Sequence, residues 1–496
     1  MPDSPPTATH HAVARSHVSA GVLLVIACLA QFMVVLDTTI VNVALPAMRT
    51  GLGLSTVDQQ WVVDGYLITF GGLLLLAARA GDLFGRRRVF QWGLVIFTLA
   101  SLAGGFADSA AVLLAARFVQ GVGAAALAPA SLSLITASFP VGPARTKALG
   151  VWSATAASAG AVGLVVGGLL TTLSWRWVLF VNVPLGVGLF AAAAWSLLPH
   201  TAADLKRRLD VPGALAVTVG VGGIVFGISE ATIKGWGSAT VIGALAAAVV
   251  LLALFLVIEM RTKQPLMPLR IFRYRSLSTA NTVMLCLGIV MTSTIFFLSL
   301  YLQQAEGYSA LKTGFAMAPL SVLLTVGSLV ARRIIARTGA RSMMIAGAVI
   351  TTVGVAWISR LPLESSYVVH ILLPSIVIGT GMSLTFLPVA SVATTDLPAR
   401  DAGLASGLVN MGRQIGGALG LAVLVTVAAT STSHSGLASH DAAVIHGYRL
   451  ALLIVAAVSA ASVLTALLIP RPGQKAVAAA APASRQGDPA PSKGSA

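Results

Sequence analysis

The chain has 496 residues, of which 56% are hydrophobic and only 10% are charged, and its mean hydropathy is +0.89. About a quarter of the residues of a soluble globular domain are charged, so the composition excludes an ordinary water-soluble protein. The net charge of +16 would suggest a nucleic-acid partner for a soluble protein. In a membrane protein, however, basic residues first reflect topology, and we expect no nucleic-acid partner.

Fourteen apolar segments are long enough to cross a bilayer, which takes about 20 residues of helix. The first is too long for the hydrophobic region of a signal peptide and is predicted to be a retained span that ends before Pro46. The predicted spans are 20–45, 57–78, 88–107, 110–136, 146–171, 176–198, 211–230, 238–259, 277–303, 313–336, 341–359, 367–394, 402–428 and 448–469. The chain is therefore predicted to be an all-α integral membrane protein, with a polar tail over 1–19 and a disordered tail over 470–496.

Basic residues are distributed unevenly between the two ends of these spans. If both termini are cytoplasmic, 24 of the 32 Lys and Arg residues fall in cytoplasmic segments and 6 in outer segments. Cytoplasmic loops of membrane proteins carry such an excess of Lys and Arg. The distribution predicts a multi-pass protein of the cell membrane with both termini in the cytoplasm.

The spans divide into groups of six, two and six. Six spans occupy 20–200, six occupy 277–469, and two additional spans with basic linkers occupy 201–276. Repeated helix units are typical of secondary transporters, whose substrate site lies near the midplane between the repeats. The sequence predicts two six-helix bundles plus two extra central spans.

Three ionisable residues are predicted inside the spans of the first half, namely Asp37, Asp64 and Arg117. At 1.5 Å per residue, Asp37 lies about 25 Å from the cytoplasmic surface, and the other two lie about 10 Å from the outer surface. All three are thus expected in the outer half of a core about 30 Å thick. Such residues are costly and indicate either a function or a buried ion pair. We expect the two carboxylates to handle protons or cations, whereas for Arg117 both roles stay open.

Asp37 points away from the other polar residues of its own helix. At 100° per residue, Gln31, Thr38 and Asn42 fall within about 40° of one another, and Asp37 is about 100–140° away. One direction is expected to line a cavity and the other to face a neighbouring helix, and the sequence leaves open which is which.

Further residues are candidates for lining a cavity. Arg413 is the only ionisable residue predicted deep in the second half. Aromatic side chains can line an apolar pocket, although plain packing is the alternative for each of them. The aromatic candidates are Phe32, Trp61, Tyr66 and Phe297.

Several stretches resemble one family, the major facilitator superfamily. The loop ARAGDLFGRRR resembles its signature loop, and the resemblance implies that Asp82, Gly85 and Arg86 form a gating loop. The stretch RFVQG resembles its Arg-x-x-Gln-Gly motif, which implies a part in proton coupling for Arg117. A glycine stripe in the fifth span resembles its antiporter motif, with Leu164 where the family has Pro.

Five more stretches resemble the fourteen-span drug:proton antiporter branch of that superfamily. They are LDTTIVNVALP (36–46), WVVDGYLIT (61–69), SWRWVLFVNVPLG (174–186), FFLSLYLQQAEGYSALKTG (296–314) and DAGLASGLVNMGRQIGGALG (401–420). The resemblance implies the major facilitator fold and a monomeric, proton-driven exporter of amphipathic, cationic drugs or antibiotics. It also implies proton coupling or cation handling for Asp37 and Asp64.

Two other functions stay open at this stage. One is a narrow-specificity exporter of an endogenous metabolite or a self-made antibiotic, and the other is a non-transporting membrane receptor on the same fold. An enzyme is not expected, because the sequence has no nucleophile–base arrangement, metal-ligand spacing or phosphate loop. The expected partners are a small amphipathic substrate, protons and the lipid bilayer, with no cofactor.

Overall fold

The computed structural model describes residues 20–140, 142–196, 209–262, 264–398, 401–437 and 439–469. Within these ranges it has fourteen helical segments long and apolar enough to cross a membrane, as predicted, and no β-strand. The two predicted tails lie outside the described residues. Spans 1 to 14 are, in chain order, Ala20–Leu52, Thr56–Phe84, Arg86–Gly105, Ala110–Ser138, Pro143–Leu173, Trp177–Ser196, Val211–Lys234, Ala239–Arg261, Arg275–Ala305, Ala310–Thr338, Ala340–Ile358, Tyr367–Thr394, Ala402–Ser433 and His440–Leu467.

Span 1 continues past its predicted end, with Pro46 inside the helix. Proline has no N–H, so it leaves the carbonyl oxygen four residues earlier, that of Asn42, without its helical donor. The Ser299 hydroxyl of span 9 donates to that oxygen at 3.0 Å, and the Gln303 amide donates to the next carbonyl, that of Val43, also at 3.0 Å. Neighbouring helices supply such replacement donors in membranes. The prediction that the helix ends at Pro46 was therefore wrong.

The first six and the last six spans make the same internal contacts. Span 3 packs on span 4 as span 11 packs on span 12, and span 1 packs on span 5 as span 9 packs on span 13. The two six-helix bundles are thus structural repeats. They meet along two seams, one between spans 5 and 10 and the other between spans 2 and 13.

Glycines allow the close approach at the first seam. A Cβ atom at Gly168 of span 5 would lie 2.7 Å from the Ala310 carbonyl oxygen and 2.8 Å from the Leu311 Cα of span 10. A Cβ at Gly314 of span 10 would clash with the carbonyl oxygen of Leu164. Small residues at such positions let helix backbones touch. Gly168 of the glycine stripe therefore contacts the other bundle, whereas Gly163 and Gly167 of the same stripe pack on span 1 of their own bundle.

The two additional spans lie beside the second seam. Span 7 packs on span 8 and also contacts spans 2 and 13. The Thr218 Cβ of span 7 would lie 2.9 Å from a Cβ placed on Gly72 of span 2, and Thr426 of span 13 donates to the Ile228 carbonyl at 3.2 Å. Span 7 is therefore in contact with both bundles at once.

The link between spans 2 and 3 is a single residue, Gly85. Its φ of 94° is one that residues with a side chain rarely adopt. Next to it, Arg86 lies 4.0 Å from Asp82 in an ion pair whose side chains are 36% and 53% exposed, and Arg86 also donates to the Ser133 carbonyl at 3.3 Å. Exposed pairs of this kind add little stability. A gating role for the loop stays a prediction.

Candidate functional site

A small cavity lies between the two bundles. Spans 1, 2 and 4 line it from one bundle, and spans 9 and 13 line it from the other. Four of the predicted lining residues do line it: Thr38, Asn42, Tyr66 and Arg413. Arg117 reaches it as well.

The other four predicted lining residues are not part of this wall. Gln31 and Phe32 lie outside it, although they belong to span 1. The Trp61 ring packs on Phe118 with centroids 5.8 Å apart. Phe297 is 1% exposed and packs between Phe296 and Tyr448, each with its centroid 5.5 Å away. Trp61 and Phe297 therefore contribute to packing within the protein, the alternative left open for aromatic residues.

Asp37 and Arg117 form a buried ion pair. The guanidinium Nη1 of Arg117 lies 2.6 Å from Oδ2 of Asp37, and both side chains are almost completely buried. This joins span 1 to span 4. A buried ion pair was one of the two alternatives that the sequence left open for Arg117.

The second carboxylate oxygen of Asp37 accepts two more hydrogen bonds. Gln120 Nε2 of span 4 donates at 2.7 Å, and Asn182 Nδ2 of span 6 donates at 3.0 Å. Both amides also donate to the Ser101 hydroxyl of span 3, at 2.6 and 3.2 Å. Asp37 is thus enclosed by donors from two spans of its own bundle. In each of these hydrogen bonds Asp37 is the acceptor.

Arg117 connects this network to the cavity. Its Nε donates to the Val62 carbonyl at 2.9 Å, and its guanidinium carbon lies 4.5 Å from the centre of the Tyr66 ring. The Tyr66 hydroxyl in turn donates to the Val34 carbonyl at 3.2 Å. Arg117 therefore lies between the Asp37 carboxylate and the cavity.

Asp64 is buried elsewhere and does not face Arg117. Its Oδ2 accepts from Gln60 at 2.8 Å, and the same Gln60 amide lies 2.9 Å from the Ser229 hydroxyl of span 7. Its Oδ1 has no hydrogen-bond partner among the described residues. Val62, whose carbonyl accepts from Arg117, and Tyr66, whose ring lies under Arg117, are each about 160° away from Asp64 around the helix. Of the three ionisable residues expected at one depth, Asp37 and Arg117 are in direct contact.

The sequence analysis missed several partners of these carboxylates. Gln120 stands in the quoted RFVQG stretch, three residues after Arg117, so a helical wheel places the two side chains on one face. Asn182 follows a break in span 6 between Trp177–Phe180 and Asn182–Ser196. Pro184, in the first turn of the second segment, is the sequence signal that could have indicated this break. Ser229, in an additional span, had no sequence signal linking it to Asp64.

Comparisons with known proteins agree with this architecture. A family model described as Major Facilitator Superfamily matches residues 27–421. The cephamycin export protein CmcT of Amycolatopsis lactamdurans is 43% identical over 444 residues, which are 88% of this chain and 91% of that protein. The puromycin resistance protein Pur8 of Streptomyces alboniger is 40% identical over 441 residues, 86% of this chain and 87% of that protein. The multidrug resistance protein Stp of Mycobacterium tuberculosis is 35% identical over 403 residues, 81% and 74% of the two chains.

Solved transporter structures share the fold. A bacterial homologue of the human lysosomal transporter Spinster, inward-facing and unoccupied, superposes with a TM-score of 0.63 at 15% identity, over 92% of this chain and 99% of that one. The nucleoside transporter NupG gives 0.62 at 13% identity, over 91% and 100%. At such identities the likeness shows the fold alone. Because the family model and the relatives match most of its length, the chain belongs to the major facilitator superfamily.

Proposed function

We propose that this protein exports amphipathic drugs or antibiotics across the cell membrane, driven by proton antiport. Two repeated bundles with a cavity between them are the architecture of secondary transporters. The relatives are named for the export of cephamycin, resistance to puromycin and multidrug resistance. One of these names states export and two state resistance, and export of a drug from the cell produces resistance to it.

The orientation of the protein in the membrane, in this proposal, follows from the basic residues. The short link at Gly85 is flanked by Arg79, Arg86 and Arg87, and such clusters favour the cytoplasmic side. The opposite end of the spans then faces outward, and both termini are cytoplasmic. Substrate enters the cavity from the cytoplasm or the inner leaflet and leaves when the seams open on the outer side.

The observation that carries proton coupling is the enclosed carboxylate of Asp37. As an anion it accepts from Arg117, Gln120 and Asn182. A proton neutralises this carboxylate and turns one of its acceptor sites into an O–H donor, so Arg117 loses its counter-ion and the hydrogen bonds from all three donors weaken. Protonation therefore favours a different arrangement of span 1 against spans 4 and 6. Since span 1 also lines the cavity, the same helix links the proton site to the substrate site.

The proposal is tested by proton release from proteoliposomes. Purified protein is reconstituted with a pH-sensitive dye inside, a pH gradient is imposed, and a panel of antibiotics is added. We expect substrates to accelerate proton flux through the wild type and not through Asp37→Asn. The matched control is Asp108→Asn, the same exchange at an exposed residue, which should behave as the wild type. Substrate-stimulated proton flux in Asp37→Asn would exclude Asp37 as the coupling residue, and its absence in the wild type would exclude antiport.

A narrow-specificity exporter is the second candidate function. Its support is that several relatives are named for one compound, including a tetracenomycin C resistance and export protein and a lincomycin resistance protein. Resistance to the antibiotic panel, measured in a host that lacks its own pumps, separates the two. Protection against one chemical scaffold supports narrow specificity, and protection against unrelated scaffolds supports multidrug export.

A further inference from the structure

The fixed charge of the central cavity is positive. Arg117 and Arg413 line it, and none of the described residues in its wall is acidic. Asp37 neutralises Arg117 from behind, at 2.6 Å, and is itself completely buried. The charge that stays uncompensated in the wall is therefore that of Arg413.

Arg413 has no carboxylate partner in the part of the chain that the structure describes. The ion pairs there are Asp82–Arg86, Asp37–Arg117 and Glu230–Lys234. Its side chain makes one hydrogen bond, from Nη2 to the Asn410 oxygen of the same helix at 3.1 Å. A guanidinium carries five N–H donors, so most of its donors are available to a ligand. A partly buried cation without a counter-ion is unfavourable, and an anionic group in the cavity would relieve that cost.

A second donor stands next to Arg413 in the same wall. Gln414 is 1% exposed and lines the cavity, and its Nε2 has no hydrogen-bond partner among the described residues. Buried donors are normally paired. Two adjacent residues of span 13 thus present N–H groups to one cavity, and a carboxylate has the two oxygens that such a set binds.

The opposite wall offers a complementary group. Asn42 of span 1 lines the cavity, and its Oδ1 is buried without a partner, while its Nδ2 donates to the Thr38 carbonyl at 2.6 Å. It is an acceptor for an N–H or O–H of a ligand. Apolar side chains, among them Leu67, Met291 and Ile295, complete the lining.

We propose that the cavity binds amphipathic molecules that carry a carboxylate, held by Arg413 and Gln414, with Asn42 accepting a hydrogen bond from the ligand. The inference rests on the proposed function in that the ligand is the exported substrate. The expectation of a cationic substrate depended on Asp37 and Asp64, and neither carboxylate lines the cavity. The cavity wall instead favours a negatively charged substrate.

Three probes that share one fluorophore test the charge preference. Dansyl-leucine carries a carboxylate, dansyl-leucinamide is neutral, and dansylcadaverine is a cation. Binding to purified protein in lipid nanodiscs is measured by fluorescence without any proton gradient. We expect dansyl-leucine to bind tightest. Loss of a hydrogen bond to a charged group weakens binding about 10- to 100-fold, and Arg413→Gln should do so for dansyl-leucine while leaving the amide unchanged.

Two further variants keep the test decisive. Arg413→Lys keeps the charge and should retain part of the preference for dansyl-leucine. Arg360→Gln, the same exchange at an exposed arginine outside the cavity, should change nothing. Folding of each variant is checked by the temperature at which the buried thiols of Cys28 and Cys286 become reactive.

The outcomes separate this inference from export itself. Tightest binding of dansylcadaverine, equal binding of all three probes, binding of none of them, or an equal loss for all in Arg413→Gln overturns the carboxylate site. Proton-coupled export is measured separately, so it can stand when the site fails. If dansyl-leucine binds as expected but no substrate is transported in proteoliposomes, the site stands and export fails.

Discussion

Asp37→Asn tests the buried pair most directly. It removes the carboxylate that pairs with Arg117, a residue that is 1% exposed. Leaving one member of a buried pair without its partner costs about 3–5 kcal/mol of unfolding free energy. Asparagine has one acceptor oxygen, so its NH₂ group must also face either Arg117 or the donors Gln120 and Asn182. An unsatisfied donor adds about 1–3 kcal/mol.

The matched control is the same exchange at the other buried carboxylate. Asp64→Asn keeps an oxygen that accepts from Gln60, and no cation within ion-pair distance is left unpaired there, as far as the chain is described. The change in stability should therefore stay near or below about 1 kcal/mol, the size of one neutral hydrogen bond. Two isosteric substitutions in one bundle thus have different expected costs, and the difference comes from Arg117.

Thermal unfolding in detergent measures both effects. A maleimide dye that fluoresces on reaction with Cys28 and Cys286 reports unfolding, because both thiols are buried. We expect a large drop in unfolding temperature for Asp37→Asn and a small one for Asp64→Asn. Adding Arg117→Gln to Asp37→Asn should recover much of the loss, since the unpaired charge is gone, and the pair would show a favourable coupling energy in the double-mutant cycle. Equal drops in unfolding temperature for Asp37→Asn and Asp64→Asn would refute the reasoning. A loss of stability in the double variant equal to the sum of the losses in Asp37→Asn and Arg117→Gln would also refute it.

Three further predictions concern the seam, the loop and the transported charge. Gly168→Ala should disfavour the closed seam between spans 5 and 10 by about 1–3 kcal/mol and lengthen the distance between spin labels on those spans. Gly188→Ala, with no atom within 4 Å of the added Cβ, should leave that distance unchanged. An unchanged distance in Gly168→Ala would contradict the prediction. Asp82→Asn should cost less than about 1 kcal/mol in stability yet slow transport several-fold in proteoliposomes, and unimpaired transport would exclude the gating role. Exchange of one proton for a carboxylate anion moves two charges, each worth about 2.3 kcal/mol per 100 mV. Export of dansyl-leucine should therefore respond more steeply than that of dansyl-leucinamide to a potassium diffusion potential, and equal slopes contradict it.

The fourteen spans follow from the sequence because each is an apolar run of bilayer length. The contacts between side chains of different spans did not follow from the sequence in the same way. The helical wheel of span 1 separated Asp37 from Thr38 and Asn42, and the structure places the latter two at the cavity. A depth estimate put Asp64 level with Arg117, but depth says nothing about rotation around the helix axis, and Asp64 lies on the other side of span 2.

Long-range side-chain partners also had no signal in the sequence. Pro184, three residues after the interruption at Val181, is a local sign of a helix break, but it does not indicate which side chains Asn182 contacts. Pro46 was read as a stop, because the replacement donor Ser299 is about 250 residues away in the chain. A long-range contact of this kind has no local signal.

The bonds that replace the one lost at Pro46 also fix how span 1 is turned. Consecutive helical residues differ by about 100°, so a turn of the helix by that angle would bring Thr38 to the direction that Asp37 now has. The Asn42 and Val43 carbonyls are held by Ser299 and Gln303, both on span 9 of the opposite bundle. The rotational setting of span 1 is therefore tied to the other half of the protein by these two bonds, in addition to the bonds that Asp37 accepts within its own bundle.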